Sequence, residues 1–90
     1  MELLEEVKTD LRISFDDLDE DIKSNIAAAL LDLGIAGVAT AELDALSKRA
    51  VKLFCRWQYN FDGRADKYAE AYHQLKITLS LDLDHKEAEE

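Results

Sequence analysis

The sequence predicts an all-α fold, a compact bundle of about four helices with short connections. Three observations predict it. The 90 residues contain no proline and only three glycines, so little interrupts a helix. Apolar residues recur at helical spacing along most of the chain. Capping and stop residues divide that pattern into four blocks.

The first block, with Leu3, Leu4, Val7 and Leu11 on one stripe, predicts a short helix ending near Arg12. A turn follows at Ser14-Phe15-Asp16-Asp17. Asp17 is the expected N-cap of the second helix, with Glu20 three residues on as in a capping box. Asp19, Glu20 and Asp21 stand where the helix dipole favours negative charge. Leu18, Ile22, Ile26, Ala29 and Leu33 form the second stripe. Gly34 is the expected stop, with Ile35 as its apolar contact.

Thr40 is the expected cap of the third helix, which runs to about Asn60. On a wheel, Leu43, Leu46, Ala50, Leu53, Phe54 and Trp57 fall on one side. Lys48, Arg49, Lys52 and Arg56 fall opposite, with Tyr59 among them. After the Asp62-Gly63 turn signal, the fourth helix spans about Arg64–Ser80, with Tyr68, Ala71, Tyr72, Leu75 and Leu79 as its stripe. The expected core is Leu18, Ile22, Ile26, Leu30, Leu33, Leu46, Ala50, Leu53, Phe54, Trp57, Tyr68, Tyr72, Leu75 and Leu79. Trp57 and Phe54 are expected to be buried against the second and fourth helices.

The length allows one domain, placed at residues 1–81, with an acidic, flexible C-terminal tail at 82–90. Hydrophobic residues at 48% and charged residues at 34% exclude a disordered composition. The net charge is −9, which opposes general affinity for a phosphate backbone. Residues 1–24 hold nine acids against three bases, and residues 25–63 hold four of each. The first ten residues have no signal-peptide pattern and no apolar run reaches membrane length, so a soluble, intracellular chain is expected. A lone cysteine, Cys55, excludes an internal disulfide and fits a reducing compartment.

Chemistry-bearing patterns are few, and neither catalytic residues nor cofactors are expected. The Asp16–Asp21 run fails as a calcium loop, because the sixth and twelfth positions from Asp17 are Ile22 and Ala28. His73 and His85 lack partners at metal-ligand spacing. A Cys55–His73 nucleophile pair is conceivable only across two packed helices. No glycine-rich loop precedes a helix. Near the third helix, Asp44-Ala45-Leu46-Ser47 displaces the serine of the Asp-Ser-Leu motif of acyl carrier proteins.

The basic stripe remains. Its plainest reading is a solvated helix face. Its functional reading is a docking surface, facing away from the core, for acids such as Asp16, Asp17 and Asp21 of another copy. That contact is head-to-tail and builds closed rings or filaments. A DNA-facing role is weaker, since four bases oppose a negative field across the whole molecule.

The order of features resembles a known family. An acidic-capped helix, Asp17-Leu18-Asp19-Glu20-Asp21-Ile22-Lys23, precedes the glycine stop. The third helix carries Ala50-Val51-Lys52-Leu53-Phe54-Cys55-Arg56-Trp57-Gln58-Tyr59-Asn60. The fourth carries Tyr68-Ala69-Glu70-Ala71-Tyr72-His73-Gln74-Leu75-Lys76-Ile77-Thr78-Leu79-Ser80-Leu81. From Leu3 to Leu81 the chain resembles the small head–tail connector (adaptor, or DNA-packaging) proteins of tailed bacteriophages. The resemblance implies a structural protein of the virion neck, present in the host cytoplasm during assembly. It implies a ring of about a dozen copies beneath the portal protein, next to a head-completion or tail protein, with DNA as passing cargo and no membrane. Family members often grip the portal through a terminal extension, and here the tail is short. The alternative is a small acidic regulator or inhibitor that binds one basic partner protein.

Overall fold

The computed structural model describes residues 3–82 and His85. It contains four α-helices: α1 (Leu3–Asp10), α2 (Asp19–Ile35), α3 (Ala45–Gln58) and α4 (Ala65–Leu81). A 3-10 turn at Phe61–Gly63 joins the last two. The all-α bundle with short connections is therefore observed. Of the tail, only Asp82 and His85 are among the described residues.

The first three helices end alike, by placing one residue in the left-handed region. After α1 that residue is Arg12 (φ 60°), after α2 Gly37 (φ 92°), and after α3 Asn60 (φ 48°). Behind Arg12, Ile13 N–H bonds to the Lys8 carbonyl (2.9 Å) and Arg12 N–H to the Thr9 carbonyl (3.1 Å). Behind Gly37, Val38 N–H bonds to the Leu33 carbonyl and Gly37 N–H to the Gly34 carbonyl, both at 3.0 Å. These are Schellman closures, and the second packs Val38 with Leu33, both fully buried. Gly34 therefore does not stop α2. The helix continues to Ile35, and Gly37 supplies the left-handed residue.

The helix starts also differ from expectation. Asp44, not Thr40, caps α3, and its carboxylate accepts the Ser47 N–H at 2.9 Å. Leu18, not Asp17, occupies the α2 cap position and makes no side-chain cap bond. The neighbouring carboxylates are drawn to Lys8 instead. Lys8 Nζ lies 2.9 Å from Asp16 and 2.8 Å from Asp19.

The core joins all four helices. Val7 and Leu11 come from α1 and its last turn, Ile22, Ile26, Ala29 and Leu33 from α2, Ala50, Val51 and Cys55 from α3, and Tyr72 and Leu79 from α4. Six expected core residues, Ile22, Ile26, Leu33, Ala50, Tyr72 and Leu79, are buried. Leu18, Leu30, Leu53, Phe54, Trp57 and Leu75 are half-buried against them. Phe54 meets Tyr72 and Trp57 edge-on at 5.3 and 5.6 Å. Tyr68 is half-buried beside Phe61.

Leu46 corrects the expected core, being 44% exposed, and Ala71 is exposed as well. The buried arc of α3 runs through Ser47, Ala50, Val51 and Cys55. At about 100° per residue its centre lies roughly a quarter-turn from the centre of the apolar wheel face. The cause is α1, which covers part of the basic side of α3. Leu79→Ala should therefore cost about 2–5 kcal/mol in chemical denaturation, and Leu46→Ala under about 1 kcal/mol. Equal losses would refute this assignment of the core.

Candidate interaction surface

The basic stripe does not stand free. Lys48 Nζ lies 3.2 Å and Lys52 Nζ 3.6 Å from the Glu6 carboxylate. The Arg56 guanidinium donates two bonds to Asp10, at 2.7 and 2.8 Å, and lies over the Phe61 and Tyr68 rings at 4.9 and 5.3 Å. The Lys48 ammonium, chiefly by hydrogen bonding, holds the Glu6 carboxyl below its usual range. Asp10 likewise raises the pKa of Arg56. Lys48, Lys52 and Arg56 stay outside the hydrophobic core, as expected, but are paired within the chain and do not form a free stripe. They fasten α3 to α1.

The acids expected to face a neighbour are also largely engaged. Asp16 pairs with Lys8, and Asp21 accepts from the Tyr59 hydroxyl. Asn25 Nδ2 donates to that same hydroxyl at 3.0 Å. Burial, aided by Asp21, pushes the Tyr59 phenol up to about 12. Of the eight expected interface residues, only Arg49 and Asp17 are exposed and, among the described residues, in neither an ion pair nor a side-chain hydrogen bond; Asp21 is exposed and in no ion pair but accepts from Tyr59.

Between α1 and α4, over α3, lies an open cleft of about 990 Å³. Leu43, Leu53, Ala71 and Leu75 supply apolar lining, and Lys48, Arg49, Lys52 and Arg56 supply cations. Glu6, Asp10 and Asp44 are the carboxylates there, so cations outnumber them by four to three. A small positive balance in a chain of net charge −9 is a local inversion of sign.

Two further knots were missed in the sequence. Tyr72 and Lys76 both donate to Asp32, at 2.6 and 3.0 Å, which ties α4 to α2. The Tyr72 hydrogen bond, followed by that of Lys76, holds the Asp32 carboxyl below its usual range. His85 donates or accepts at both ring nitrogens, from Nδ1 to Asp82 at 2.8 Å and from Nε2 to Asp44. Its carbonyl accepts the Ala39 N–H at 2.7 Å. The chain after α4 is thereby fastened to the cap of α3. No periodicity signals contacts between residues so distant in sequence.

The conceivable nucleophile pair is not assembled. Cys55 is fully buried, and burial pushes its thiol up to about 12, whereas a reactive thiol needs a lowered value. His73 is exposed, edge-on to Trp57 at 5.4 Å. No group of three or more His, Cys, Asp or Glu among the described residues is placed to hold a metal ion.

Two measurements test these ion pairs. Arg56→Lys keeps the charge but loses the two-pronged contact and the ring stacking, so it should lower stability by about 1 kcal/mol. An unchanged midpoint in denaturant would show that the two-pronged contact and the ring stacking add nothing to the hold on α1. For His85, Asp82 and then Asp44 raise the folded pKa above the ordinary 6.5. The folded chain holds that proton more tightly, so the contribution is complete below 6.5 and fades as pH rises through the folded midpoint. Ring resonances should titrate above 6.5, and Asp82→Asn should bring the midpoint down. A midpoint at or below 6.5 in the unmodified chain would count against the clasp.

Comparison with known proteins adds one finding. No curated protein and no solved structure matches the chain. Among the described residues, no helix is long and apolar enough to cross a membrane. The family model described as phage connector protein matches residues 3–86, from the first residue of α1 past the end of α4. That span covers every helix and every ion pair described above, and the chain belongs to the phage connector protein family.

Proposed function

We propose that this chain is a structural head–tail connector subunit of a tailed phage. Copies assemble as a ring beneath the portal, in the virion neck, and the genome passes through. The observation that carries the reading is the family match across all four helices. Portal protein and a downstream head-completion or tail protein are the partners, and DNA is cargo. An acidic surface suits that role, since a duplex slides past it without being retained.

A non-enzymatic role is supported by the side chains themselves. The single thiol is buried and proton-bound, and the two histidines serve an aromatic contact and a tail clasp. Five titratable groups with displaced pKa values, Glu6, Lys8, Asp32, Arg56 and Tyr72, have a partner that fastens one helix to another.

Native mass spectrometry with negative-stain imaging tests the reading. The expected species is a closed assembly on the order of a dozen copies, alone or on added portal rings. A chain that neither self-assembles nor binds a portal, and forms a tight one-to-one complex with a basic protein, would instead be a small regulator.

A further inference from the structure

The cleft leaves two leucines only partly covered beside cations. Leu53 and Leu75 are half-buried in the cleft lining, and Arg49 is exposed at the same cleft with no carboxylate partner among the described residues. A separate surface holds the complement. In the turn before α2, the Phe15 side chain is 53% exposed, and Asp17 two residues on is exposed and in no ion pair. About half of an aromatic residue is thus left in water directly before the densest acidic run of the chain, Asp16–Asp21.

The two surfaces flank α1 on opposite sides. Glu6 and Asp10 point to α3 and border the cleft, whereas Lys8 points to Asp16 and Asp19 in the acidic segment. At about 100° per residue, Lys8 stands roughly 160–200° around the helix from those two carboxylates. One molecule cannot bring its own turn into its own cleft across that helix. A second copy can, and each copy then presents both a donor turn and an acceptor cleft.

We propose that the α1/α3/α4 cleft receives the Phe15–Asp17 turn of a second copy, with Phe15 on the leucine lining and Asp17 paired with Arg49. The choice of occupant rests on charge complementarity. The cleft is locally positive in an acidic chain, and the turn opens the chain's most acidic run, Asp16–Asp21, with Asp17 its exposed and unpaired carboxylate. The inference rests on the connector reading, and it names the contact that joins neighbouring subunits. Because the two surfaces differ, the contact is heterologous and propagates head-to-tail. An exposed ion pair is weak alone, so the aromatic anchor supplies affinity while Asp17–Arg49 sets register.

Charge reversal at Lys52 or Arg56 is the wrong test, because it would oppose Glu6 or Asp10 and unseat α1. The test uses Phe15→Ser, Arg49→Glu, Asp17→Arg and the double variant Arg49→Glu/Asp17→Arg in the full chain. Each single variant should melt like the unmodified chain and weaken self-association at least about tenfold by native mass spectrometry and sedimentation. The double variant should recover association to within about threefold. Unchanged association of Phe15→Ser and Arg49→Glu would overturn the inference while leaving the connector reading intact, with its contact elsewhere. An unmodified chain that stays monomeric at high concentration would also overturn it, and portal binding by that monomer would decide the connector reading separately.

Discussion

The clamping of α1 is the constraint on which the rest of this structure depends. Eight residues make a helix too short to persist alone in water. Its apolar stripe, Val7 and the following Leu11, enters the core, and ionic contacts hold both flanks. Lys8 is only 5% exposed, and its ammonium is held between Asp16 and Asp19. Those partners, Asp19 first, raise its pKa against the opposing effect of burial. Asp19 Oδ1 is itself buried with no hydrogen-bond partner apart from that ammonium contact. Removing either member strands a desolvated charge, so the pair fixes position more than it adds net stability.

Everything on the α3 side follows from that placement. With Glu6 and Asp10 above it, α3 turns part of its basic stripe inward and buries the strip between the basic and apolar faces. Ser47 and Cys55 become core residues, and Leu46 emerges into solvent. The cleft is the remaining gap between α1 and α4, where two helices flank α3 without meeting over it. Position of a short N-terminal helix thus decides which apolar residues of the long third helix stay available.

Much of the fold was legible and much of the surface was not, for different reasons. Helix number and type follow from local periodicity and the scarcity of breakers, which need no knowledge of partners. Asn60 and Gly37 are residue types suited to a left-handed closure. Arg12 is not, and its closure is imposed by the packing of Ile13 after α1. The α3 wheel failed at Leu46 and Ser47 because a wheel assumes burial from one side, and α3 is enclosed by three helices. Arg56–Asp10 and Lys48–Glu6 bridge 46 and 42 positions, and no spacing rule reaches that far. Charge clusters that looked like two halves of an external contact mostly found partners within the chain.

That internal pairing changes what kind of assembly this subunit suits. With most cations of α3 neutralised by α1, bulk electrostatics contributes little to holding copies together, and a net charge of −9 repels them at long range. In the proposed contact, affinity then comes from apolar surface that the fold leaves partly open, Phe15 and the leucines beside Arg49, with one or two unpaired charges to orient it. Such a contact is short-ranged and gains nothing until the subunits are nearly docked. Repulsion at a distance with attraction only in register would disfavour association of dilute free copies. It favours assembly where subunits are already gathered and aligned, as they are on a symmetric template.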